Sequence, residues 1–136
     1  MHSRLGLWGP VVLYMCAIFF GSAQSDLPDI PGNLSDKTMH MIEYGGLSAV
    51  ACRAAAGGAL GAVSPAAALA GWGIAVAYGA TDELHQWLVP GRSPDALDLA
   101  ADATGAAIVA AGLWGWGIIA RSRREARDVH PPASTR

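Results

Sequence analysis

The acidic residues, lysines and arginines of this chain are confined to short stretches separated by long runs that hold none. Residues 5–23, 54–81 and 103–120 contain no Asp, Glu, Lys or Arg. A helix needs about 20 apolar residues to cross a bilayer, and inside lipid a segment must satisfy its own backbone polar groups. The partition therefore restricts the chain to membrane helices whose charges lie at helix ends or turn inward. With 52% hydrophobic and 15% charged residues and a mean hydropathy of +0.31, the composition is too apolar for an average soluble domain. The 136 residues suit one domain of a few packed helices, and a formal net charge of -2 gives no electrostatic basis for a nucleic-acid partner.

Four spans are predicted, at about 5–23, 38–57, 66–87 and 95–120, giving an all-α polytopic bundle. The first carries Pro10 in its opening turns, where the missing N–H is tolerated. His2, Arg4 and the small residues Gly21, Ser22 and Ala23 give it a signal-peptide look, but the run exceeds the roughly 7–15 residues of a signal core, so it is read as a retained span. A loop with Pro28, Pro31 and Gly32 follows, in which residues 30–33 have the order of a type II turn and residues 33–35 fit the weak glycosylation-acceptor pattern. Ser35 is placed to cap the second helix, with Asp36 in its first turn. Gly57, Gly58, Gly61 and Pro65 put a turn at about 58–65, and Gly71, Gly73 and Gly79 offer positions for close helix approach. Pro90 and Gly91 occupy the centre of a second type II turn, after which Ser93 and Pro94 read as N-cap and first residue of the fourth helix. Cys16 and Cys52 stand apart without metal-ligand spacing and read as small buried apolar residues.

Residues 121–136 are predicted to form a basic, disordered tail, and Arg121, Arg123, Arg124 and Arg127 place it in the cytoplasm. Four spans then return the N-terminus to the same side of the plasma membrane. Both acidic segments, at 26–37 and 82–98, fall outside.

Those segments hold the candidate site. Asp36, His40, Glu43 and Tyr44 share one helical face, and Asp95, Asp98 and Asp102 share another. Between them lie Asp82, Glu83, His85, Gln86, Arg92 and Ser93. Ionisable groups in a membrane segment are costly unless paired or wet, so both faces should turn inward. Arg92, with a planar fork that matches a carboxylate, is the natural partner for Asp95 or Asp98.

The order of these residues is distinctive. Asp36-Lys37, His40 and Glu43-Tyr44, then Asp82-Glu83, His85-Gln86 and Val89-Pro90-Gly91-Arg92-Ser93, then Asp95, Asp98 and Ala101, closely resemble the VanZ-like family of small bacterial membrane proteins over roughly residues 5–120. The resemblance implies a cell-envelope membrane protein, and it raises a role in glycopeptide resistance, since the family takes its name from a member associated with resistance to teicoplanin. There is one departure. Where the family pattern usually has Asn-Thr before the glycine of the fourth helix, this chain has Asp102-Ala103 ahead of Thr104-Gly105. An acid in place of an amide must be paired or protonated.

Three readings of the polar residues follow. They fasten the outer helix ends together; or they bind a polar headgroup, such as a lipid-linked cell-wall precursor or a glycopeptide, with Arg92, His85 and the start of the fourth helix meeting phosphate or carboxylate. In the third, His40, Glu83, His85 and Asp98 act as metal ligands or an acid/base set in an intramembrane enzyme working on a lipid-linked envelope substrate. The sequence has no HExxH pattern and no recognisable nucleophile setting, so it assigns no catalytic residue, no metal set and no cofactor. Membrane lipids are the one partner class that the spans themselves require.

Overall fold

The computed structural model describes residues 3–24 and 35–129. Among these, the chain is helical without strands: α1 (Arg4–Ser22), α2 (Asp36–Ala55), a 3₁₀ turn (Leu60–Ala62), α3 (Pro65–Gln86) and α4 (Ala96–Val129). The turn at residues 30–33 and the acceptor pattern at 33–35 fall wholly or largely outside the described residues.

Local signals set most helix boundaries. The Ser35 side chain accepts from Thr38 N at 3.3 Å and Asp36 fills the first turn of α2, as its spacing predicts. The Ser64 side chain accepts from Ala67 N at 3.2 Å, with Pro65 as the first residue of α3. Gly57 and Gly58 have φ of 73° and 107°, left-handed values that side chains disfavour, and they end α2 where the turn is expected. Gly91 has φ 83° and Arg92 N bonds Val89 O at 3.1 Å, which makes the second type II turn.

The start of α4 departs from expectation. Asp95, rather than Ser93, caps the helix: its Oδ1 accepts from Leu97 N at 2.8 Å and its carbonyl from Asp98 N at 2.9 Å. The type II turn leaves Ser93 and Pro94 outside the helix, so the first free helical N–H groups come later. The far end differs too. Residues 121–129, expected to leave the helix as a disordered tail, continue α4. Its 34 residues span about 51 Å at the α-helical rise, well beyond the roughly 30 Å of a hydrocarbon core. Residues 130–136 lie outside the described residues.

α2 is the central helix, packed most extensively on α4 and α3, while α1 lies against α2 and touches α3 more lightly. The interior is built from small residues. Ala51, Ala54, Ala67, Ala68, Ala75, Ala101, Ala106 and Ala110 are buried around Tyr44, Leu47, Cys52 and Val63. Cys16, by contrast, is exposed, because α1 buries only Val11, Ile18 and Ser22 on its single packed face. A Cβ on Gly105 would overlap the Met41 backbone carbonyl, and one on Gly79 would press on Asp102 and Tyr44. These glycines let α4 and α3 approach α2 at the level of the polar residues. Gly73 meets nothing and plays no such part.

Large apolar side chains point outward on all four helices. Leu13, Phe20, Ile42, Leu69, Ile108 and Ile119 are exposed, whereas Asp82, Glu83, Asp98 and Asp102 are buried. That distribution inverts the usual preference of soluble proteins. Two helices, α1 and α4, are long and apolar enough to cross a membrane by length and composition. α2 falls short because it carries Asp36, Lys37, Glu43 and Arg53, and α3 because it is rich in Ala and Gly and ends in acids.

Gly105→Ala should lower stability by about 1–3 kcal/mol, the usual cost of forcing atoms into a packed contact. Gly73→Ala should be neutral or mildly stabilising through helix propensity. Thermal unfolding of both variants in the same detergent checks the pair.

Candidate functional site

The C-terminal ends of α1 and α3, the N-terminal ends of α2 and α4, and the 87–95 connection all meet at one end of the bundle. Two sets of polar contacts are built there. On the α2–α4 side, Lys37 projects from the first turn of α2 and its ammonium bonds Asp95 Oδ2 at 2.6 Å and also Asp98 Oδ1. One turn deeper, His40 Nδ1 lies 2.9 Å from Asp102 Oδ1. An ionised carboxylate only accepts, so Nδ1 carries the proton in this bond. His40 Nε2 then points back toward Asp98, 3.9 Å from its Oδ1.

On the α1–α3 side, Ser22 Oγ donates to Asp82 Oδ1 at 2.6 Å, and Gln86 Nε2 donates to Asp82 Oδ2 at 3.1 Å. His85 stacks on Phe19 with ring centroids 4.2 Å apart, its Nδ1 3.5 Å from Ser22 Oγ. Glu83 links the two sides: its Oε2 accepts from Asp95 N at 2.8 Å, tying the end of α3 to the start of α4. Its Oε1 is buried without a hydrogen-bond partner. The Tyr44 hydroxyl, also buried, faces Asp82 electrostatically but makes no hydrogen bond of ordinary geometry.

Two clefts open between these sets. A polar one of about 260 Å³ is bounded by Lys37, Gly91, Ser93, Asp95 and Asp98. A wider one of about 480 Å³ runs along α1 and α2 past Tyr14, Gly21, Met39, Ile42, Glu43 and Asp82. Asp36, His40, Gln86 and Arg92 line both and form the partition between them. Polar walls thus pass directly into apolar ones.

The sequence candidates divide accordingly. Asp36, His40, Glu43, Asp82, Gln86, Arg92, Ser93, Asp95 and Asp98 line one cleft or the other. Tyr44, Glu83 and Asp102 are buried and line neither, and His85 stands aside against Phe19. The expected pairing of Arg92 with Asp95 or Asp98 is replaced by Lys37. The reason is the late start of α4: Asp95 turns toward the first turn of α2, and Arg92 is left on the cleft wall with its Nε buried and unbonded. Lys37 was legible as part of the Asp36-Lys37 motif but not as the clamp. Ser22 and Tyr14 carried no signal, since their role depends on how α1 docks.

An apolar exterior around an ionisable interior defines a helical membrane protein. The family model for VanZ/LLP1 matches residues 7–120, and the chain belongs to that family. Neither the curated proteins nor the solved structures contain a match.

Lys37→Met should lower the unfolding temperature by stranding Asp98, and adding Asp98→Asn should restore much of the loss, because an unpaired buried charge costs more than the pair contributes. The Lys37 hydrogen bond also holds the Asp95 carboxyl below its ordinary range. Its stabilising contribution is therefore complete above the ordinary carboxylate pKa and fades as the pH falls toward the depressed value. An acid titration of unfolding should show this loss in the wild type and a weaker one in Lys37→Met.

Proposed function

We propose that this VanZ/LLP1 protein is a four-span protein of the cell envelope that binds the polar end of a lipid-linked envelope component in its outward-facing clefts. The observation that carries this reading is the shared wall of Asp36, His40, Gln86 and Arg92 between a polar cleft and a largely apolar one. A ligand with a charged head and a hydrocarbon tail meets both environments in one pose. Arg92 supplies the cation for phosphate or carboxylate, with Ser93 beside it.

Exposed apolar side chains on all four helices support four spans rather than two. The arginines on the last turns of α4 sit at the opposite end from the clefts and support cytoplasmic termini. Ser22 and Tyr14, contributed by α1, support its retention in the working protein. Competition at such a site for a cell-wall precursor, or direct capture of a glycopeptide, accounts for an effect on glycopeptide susceptibility.

The His40–Asp102 pair favours one other reading. A histidine oriented by a carboxylate with its second nitrogen on a cleft is the arrangement of a general base. The same protein would then act on the lipid-linked substrate as an intramembrane enzyme.

Arg92→Ala should reduce binding of a phosphate-bearing polyprenyl lipid at least tenfold while leaving membrane insertion intact, and cells carrying it should lose any change in teicoplanin susceptibility conferred by the wild type. Wild-type binding by Arg92→Ala in reconstituted membranes would overturn the headgroup reading. Turnover of that lipid by the wild type, absent in His40→Ala, would favour the enzyme.

A further inference from the structure

The polar cleft poses an electrostatic problem. Asp36, Asp95 and Asp98 line it, with Glu83 and Asp102 buried nearby, and Lys37 and Arg92 are the lysine and arginine on its wall. Carboxylates therefore outnumber fixed cations around a space open to solvent. Asp36, His40 and Asp98 each offer one ligand atom, and these atoms all lie within 4.8 Å of one another.

We propose that Asp36, His40 and Asp98 bind a divalent transition ion of the Mn²⁺ or Zn²⁺ class. Ligand atoms around an ion with bonds near 2.1 Å stand about 3–3.4 Å apart. The 3.9 Å between His40 Nε2 and Asp98 Oδ1 closes to that range with a small side-chain adjustment. The donor set, one imidazole and two carboxylates, suits Mn²⁺ or Zn²⁺ and does not suit thiophilic ions.

The surroundings of His40 are those of a ligand. Its Nδ1 is fixed on Asp102, which is 1% exposed, so the ring is oriented with His40 on the wall of the cleft. Metal-bound histidines characteristically carry such a carboxylate on the other ring nitrogen. Glu83 adds a second, independent sign. It is 8% exposed, interacts electrostatically with Asp98 and His40, and has a buried carboxylate oxygen without a donor. A cation at Asp98 balances that charge. Lys37 already shares Asp98 with Asp95, and it keeps Asp95 when Asp98 turns to the ion. His85 and Glu83 do not belong to the ligand set: the ring of His85 is committed to Phe19 and one oxygen of Glu83 to the Asp95 amide.

Three protein ligands leave coordination positions open, and Arg92 lines the same cleft. An oxyanion entering the cleft then meets an ion and a guanidinium together, which removes the repulsion its neighbouring acids would exert. Ion binding does not rest on that headgroup reading.

The experiment is a titration of chelator-stripped, full-length protein in detergent with Mn²⁺ alone, followed by the electron paramagnetic resonance of the free ion, with Zn²⁺ as competitor. One bound ion per chain is expected. Asp36→Asn, at a position whose side chain is 71% exposed and so tolerant of change, should weaken binding at least tenfold. Asp102→Asn should weaken it about tenfold while keeping the stoichiometry, and His85→Ala should bind like the wild type. Absence of a stoichiometric ion in the wild type, or wild-type affinity in Asp36→Asn, overturns the site. No lipid is present, so failure here is distinct from failure of headgroup binding.

Discussion

The structure depends on carboxylates that are buried and nevertheless matched. Asp98 and Asp102 are 6% and 1% exposed, and a lone charge in such a place would be driven to neutralise or would unfold the helix that carries it. Lys37 and His40, one turn apart on α2, meet them one after the other down the facing side of α4. That pairing fixes the rotation of both helices, because turning either by one residue would carry its polar face into lipid. It also sets the axial register. The remaining contacts at this end, from Asp82 to Ser22 and from Glu83 to the Asp95 amide, bring α1 and α3 to a platform that α2 and α4 have already defined.

Such matching requires backbones close enough for short side chains to meet. The oxygens of Asp stand only three bonds beyond its Cα, so His40 touches Asp102 because α2 and α4 approach closely at Gly105, where Met41 leaves no room for a side chain. Gly79 does the same for α3 beside Asp102 and Tyr44. In lipid, where apolar contact between helices is not favoured over contact with acyl chains, close packing of small residues and buried polar bonds are the available adhesives. This chain uses them at the same level.

Much of this was legible in the sequence. The periodicity of Asp36, His40, Glu43 and Tyr44, and of Asp95, Asp98 and Asp102, identified the faces that turn inward, since inward is the only inexpensive place for them. Ser35, Pro65 and Gly91 marked helix ends through local bonds, which depend on neighbours in sequence. What remained hidden depends on tertiary placement. Ser93 reads as the cap in the sequence, but the geometry of the preceding turn gives that place to Asp95. Lys37 displaced Arg92 as the carboxylate clamp because its helix arrives on the right side of α4. His85, indistinguishable from His40 by residue type and distance from a helix end, was removed to the α1 side by Phe19, a residue inside an uncharged run that gave no sign of facing it.

Asp102, which stands where the resemblance implies an amide, acquires its meaning from His40. An amide at that place can accept from Nδ1 as well, so orientation of the ring alone does not require an acid. An acid adds charge, which strengthens the bond and holds the ring more firmly. A proton and a metal ion compete for the same lone pair on Nε2. Which of them occupies Nε2 is then decided by Asp36 and Asp98, two carboxylates able to ligate an ion jointly but each able to offer a proton only a hydrogen bond. The geometry of three donors converging on one point is therefore what separates a metal ligand from a charged structural histidine, and in this chain that convergence follows from the same pairing of α2 with α4 that holds the bundle together.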